Sequence, residues 1–150
     1  VTKRREPLTY HRALTKVAAL LGWDVCAGLC GVTERAVRNW SDPDTDSEIR
    51  VIDAERLDRA YLNAGGDHAP FHRVFGLRLD IAGHETQADL TIAAARAAKE
   101  TGEAVSAIVL AATPGATPAA RRKAREEGEE AIDALTDSLA ALNRHTTAEG

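Results

Sequence analysis

Methionine is absent from the 150 residues, cysteine occurs twice, and aromatic side chains make up 4% of the chain. A disulfide scaffold is excluded by so few cysteines, and Cys26 and Cys30 lie one helical turn apart, where disulfide geometry is unfavourable. The five histidines, at 11, 68, 72, 84 and 145, do not complete a zinc site with them at any usual spacing. Buried thiols in a reducing compartment are expected instead, with no metal and no cofactor. There is no apolar run of the roughly 20 residues that a membrane helix needs, and no signal-peptide pattern. A soluble, cytoplasmic protein without a membrane partner is therefore expected. The missing methionine at position 1 is read as an initiator removed or a first codon read differently. Neither a nucleophile elbow, a phosphate-binding glycine loop nor a metal motif occurs, so an enzyme is not expected.

What is present is alanine, with five prolines near apparent boundaries, and this favours an all-α fold. The most informative stretch is Trp23 to Trp40, WDVCAGLCGVTERAVRNW. It has the spacing of a helix-turn-helix: Cys26, Ala27 and Cys30 on a first helix, Gly31 at the turn, and Val32, Val37 and Trp40 as inward positions of a second. Ala27 is small where the helices cross, Gly31 tolerates the positive φ that ends a helix, and Thr33 can cap the next one. Thr33, Glu34, Arg35, Arg38 and Asn39 are then left outward. Arginine suits guanine edges and phosphates, asparagine suits adenine, and double-stranded DNA is the expected partner.

Charge is divided along the chain. The net charge is −4, yet residues 1–40 carry seven basic against three acidic side chains. The remainder is strongly acidic, which places the electrostatic footprint at the first end. Lys3, Arg4, Arg5, Arg12 and Lys16 are candidate phosphate or minor-groove contacts, the first three on an N-terminal arm. In the loop after Trp40, Asp42, Asp44, Asp46 and Asp53 imitate a calcium loop, but Ser47 stands where glycine is required and Pro43 and Arg50 interrupt the pattern. A solvated acidic turn is expected there.

Helical periodicity marks a supporting helix from about Leu8 to Leu21, ended by Gly22, and another from Val51 to Asn63 that buries Ile52, Leu57, Ala60 and Tyr61. Phe71, Val74, Phe75 and Leu79 form a short apolar face after it. Beyond residue 83 two alanine-rich helices flank TPGATP. One carries Leu90, Ala94, Ala97, Thr101, Ala104, Ile108 and Ala112, the other Ala124, Gly128, Ala131, Leu135, Leu139 and Leu142. A hairpin with coiled-coil-like seams follows. Such small side chains bury little area, so the hairpin is expected to pair with a second copy through Leu90, Ile108, Leu135, Leu139 and Leu142. The expected organisation is a helix-turn-helix domain at 1–66, a connecting segment or short helix at 67–83, an oligomerisation hairpin at 84–145 and a disordered tail at 146–150.

The stretches ALLGWDVCAGLCGVTERAVRNWSDP and RVIDAERLDRAYLNAGG, followed by the alanine-rich hairpin, resemble phage regulatory proteins of the CII type. That resemblance implies an oligomeric, sequence-specific transcription regulator of phage or prophage promoters, associated with the nucleoid and in contact with the transcription machinery. It carries recognition-helix positions over to Thr33, Glu34, Arg35, Arg38 and Asn39. Two other readings stand beside it: a DNA-packaging adaptor resembling a small terminase subunit, and a helical interaction protein with no DNA function.

Overall fold

A computed structural model describes residues 3–84 and 89–148, the last four by backbone alone. Every regular element among the described residues is a helix: α1 Tyr10–Leu21, α2 Trp23–Cys30, α3 Glu34–Trp40, α4 Val51–Asn63, α5 Pro70–Gly83, α6 Leu90–Ala111 and α7 Pro118–Ala148. The chain divides into two compact units, Val1–Arg78 and Leu79–Gly150, and the division falls inside α5.

In the first unit, α1 starts after Thr9, whose hydroxyl accepts the Arg12 backbone N–H at 3.3 Å. Its inward row is Ala13, Leu14, Val17 and Ala18. Gly22, at φ 93°, turns the chain so that α2 leaves α1 at 108°. No single helix among the described residues is long and apolar enough to cross a membrane. Jointly α1 and α2 have enough apolar length, but the bend breaks them and Leu14, Val17 and Cys26 line the core. Cys30, Val37, Leu57, Tyr61 and Phe71 complete that core, with Trp23 and Trp40 packed partly against it.

The inward face of α4 departs from expectation. Leu57 and Tyr61 are buried, but Ile52 is 49% exposed and Asp53 and Asp58 lie inside. Positions 53, 57 and 61 form one row four residues apart, and Ile52 sits off it. Burial of Asp53 is balanced by Arg50 Nε at 2.7 Å and Arg56 Nη1 at 3.0 Å. On α5, Phe71 enters the core and Val74 packs partly against it, while Phe75 and Leu79 are exposed, so only the first half of the apolar face read from sequence closes the unit.

In the second unit, α6 is capped by Asp89, which accepts the Thr91 N–H at 2.7 Å, and α7 by Thr117, which accepts the Ala120 N–H at 3.1 Å. The two helices pack as a hairpin. α7 continues to Ala148, past residue 145 where the hairpin was expected to stop. Residues 85–88 of the expected hairpin and residues 149–150 of the expected tail lie outside the described residues.

The seam keeps Ala97, Ala104, Ala124 and Ala131 from the stripes read in the sequence and takes its other members from elsewhere. Ala93, Ala97, Ala104 and Ala107 meet Ala124, Ala131, Ala134 and Ala141, and Ser138 donates to the Ala93 carbonyl at 3.0 Å. Ile108, Leu135 and Leu142 are about half exposed, at 52%, 47% and 48%, and Leu90 and Leu139 are partly buried. Closely packed antiparallel helices select the smallest side chains for the contact row. The large aliphatics are displaced to the row beside it.

Candidate nucleic-acid interface

The α2–α3 pair is built by a three-residue turn. Gly31 adopts φ 66°, and the Val32 N–H returns to the Ala27 carbonyl at 3.1 Å, closing the end of α2. Thr33 then caps α3 by accepting the Ala36 N–H at 3.2 Å. Val37 is fully buried and fixes the roll of α3 against the core. With that roll, Thr33, Glu34, Arg35 and Arg38 are exposed and Asn39 is half-buried. Four of the five expected positions are therefore accessible to solvent and the fifth partly so. Cys26 and Cys30 hold α2 in place as free, buried thiols. Burial pushes both up from the usual thiol range, Cys30 to about 11, with the Asp53 carboxylate adding to the second.

The outward residues are not equivalent. Arg38 directs Nε at 2.8 Å and Nη2 at 2.6 Å to the same Glu34 oxygen, and its guanidinium lies 4.7 Å from the Trp23 ring centroid. Arg35 forms no ion pair among the described residues. The Glu34–Arg38 pair was legible as an i,i+4 spacing. Trp23 was read only as a boundary of the motif, because its approach to Arg38 depends on the crossing of α2 and α3.

The expected phosphate contacts also separate. Lys3 binds Asp42 at 2.8 Å and Asp44 at 2.7 Å, and these bonds raise the lysine pKa and lower that of Asp42. Arg5 Nε donates to the Ser41 carbonyl at 2.8 Å, just past the end of α3. The arm thus lies on the acidic loop, whose Asp42 and Asp44 take a lysine ammonium, while Asp53, in the first turn of α4, takes two guanidinium groups. Arg4 approaches exposed Glu6 at 3.7 Å. Lys16 pairs with Asp67 at 3.2 Å beside the Tyr61 ring and holds the Asp67 carboxyl down to about 2. Arg12 is exposed and makes no ion pair among the described residues.

In the hairpin unit, by helical register, Arg96–Asp137, Lys99–Glu103 and Lys123–Glu127 lie on one side of the alanine seam. Val105, Ile108 and Val109 of α6, and Ile132 and Leu135 of α7, lie on the other side, between 47% and 63% exposed. One side of the hairpin is thus apolar, while the other mixes these ion pairs with exposed Ile92 and Leu110. Comparison with protein-family models and with curated proteins finds no match to this chain.

Proposed function

We propose that the chain is a sequence-specific DNA-binding transcription regulator that works as an oligomer, with α2 and α3 as its helix-turn-helix and α3 in the major groove. The carrying observation is the surface of α3: Val37 is sealed in the core while Thr33, Glu34, Arg35 and Arg38 all face solvent, with Asn39 beside them. Donors and acceptors on one short helix with an exposed side can meet base edges and phosphates together. The resemblance to CII-type regulators makes promoters of phage origin the expected targets.

Oligomerisation follows from the apolar side of the hairpin. Its exposed aliphatic side chains each present on the order of 100 Å², together several hundred Å², toward the roughly 800 Å² per partner of a standard interface. A second copy supplies matching apolar area, and two recognition helices then read paired half-sites. The test is selection of bound fragments from random duplex DNA, followed by titration in rising salt. A recurring palindrome whose affinity falls steeply with salt supports the reading. Absence of salt-sensitive binding to any duplex overturns it.

A further inference from the structure

We infer that Trp23 and Glu34 are positioning residues that preset Arg38 to read a guanine, an inference that rests on the DNA-binding reading above. A guanidinium has five N–H donors in a fixed plane. Glu34 Oε1 accepts one from Nε and one from Nη2, which occupies the side edge of the group. The three donors left belong to Nη1 and to the outer position of Nη2, and they form the terminal fork. That fork matches the paired O6 and N7 acceptors of guanine in the major groove.

Trp23 backs the guanidinium from α2. Arg38 lies 4.7 Å from the Trp23 ring centroid, and Trp23 is itself partly buried against the core. An arginine held on two sides has less rotamer freedom to lose when it meets a base. Glu34 thereby acts through Arg38 rather than on DNA, although its sequence position suggested a direct contact. Trp23 belongs to α2, outside the recognition helix, and sets specificity from there.

The experiment uses the full chain and a random duplex pool selected with wild-type protein and sequenced. In the selected duplex, replacing the guanine opposite Arg38 with 7-deazaguanine removes the N7 acceptor. Wild type and Trp23→Phe, which keeps an aromatic platform, are expected to lose about tenfold in affinity on that replacement. Trp23→Leu is expected to discriminate by about twofold or less, while its binding to unselected duplex stays near the wild-type value. Glu34→Ala, at an exposed position, gives the same readout should Trp23→Leu fail to fold. A folded Trp23→Leu protein with tenfold discrimination overturns the role of Trp23, and the same result for Glu34→Ala overturns the clamp. Wild-type protein that selects no duplex at all removes the DNA-binding reading itself, an outcome distinct from either of these.

Discussion

Asp58, buried on α4, accepts backbone N–H bonds from both Phe71 at 2.9 Å and His72 at 2.8 Å. These are donors of the first turn of α5, which have no partner within their own helix, so a carboxylate from a different helix serves as the cap. Asp58→Ala leaves two N–H groups and a small cavity, and is expected to destabilise the first unit by about 2 to 4 kcal/mol. Asp58→Asn keeps one acceptor and is expected to fall in between. Urea denaturation followed by circular dichroism measures both, and a loss below about 0.5 kcal/mol for the alanine variant would show the cap to be dispensable.

Arg35 and Lys3 provide opposite cases on the DNA side. Arg35 is exposed without an ion pair among the described residues, whereas Lys3 is already held by Asp42 and Asp44. Arg35→Ala is expected to weaken binding to a selected duplex by about 1 to 3 kcal/mol. Lys3→Ala is expected to leave it within about twofold of wild type, because the lysine must break two charged bonds before it can reach a phosphate. Fluorescence anisotropy at fixed salt separates them, and equal losses would show that the arm leaves the acidic loop when DNA binds.

The elements most legible in the sequence were those punctuated by glycine. α4 runs from Val51 to Asn63 as its apolar period and the following Gly65 and Gly66 indicate, and Gly31 takes the positive φ that its place in the motif requires. The buried carboxylates were not legible. Asp53 and Asp58 look like surface residues until Arg50, Arg56 and the start of α5 are placed around them. On α6 two apolar rows lie side by side, Ala93–Ala97–Ala104 and Ala94–Ala98–Val105, and period alone weights them alike. The close approach of α7 decides between them. In the candidate interface, the outward set was readable from helical spacing, but the hold of Trp23 on Arg38 and of Asp42 on Lys3 required the fold.

Ile108 and Ile132 test the apolar side of the hairpin. Both are more than half exposed and lie across the seam from the charged pairs, so each leaves much of its side chain outside the packing of α6 on α7. Ile108→Lys with Ile132→Lys is expected to leave helicity intact and reduce the sedimenting species to a single copy. Ile92→Lys is the control, since Ile92 is 66% exposed on the side that carries Arg96 and Asp137. An unchanged mass for the double variant would locate self-association elsewhere.

Cys30 predicts how stability responds to alkali. Its thiol is 4% exposed, and burial together with the Asp53 carboxylate raises its pKa from 9.0 to about 11. A thiol whose pKa is higher folded than unfolded holds its proton more tightly in the native state. Its contribution is complete below pH 9, declines as the unfolded chain ionises, and is lost as pH passes about 11. The loss is at most about 2 to 3 kcal/mol for a shift of this size. Urea denaturation at pH 8 and pH 10 is expected to show wild type losing more stability than Cys30→Ala over the same interval, since the two proteins differ only at this thiol. Iodoacetamide provides a second readout: native Cys30 is expected to resist alkylation at pH 8, where an unfolded thiol reacts. Rapid alkylation of Cys30 in native protein that carries Cys26→Ala would show that this thiol is neither buried nor raised.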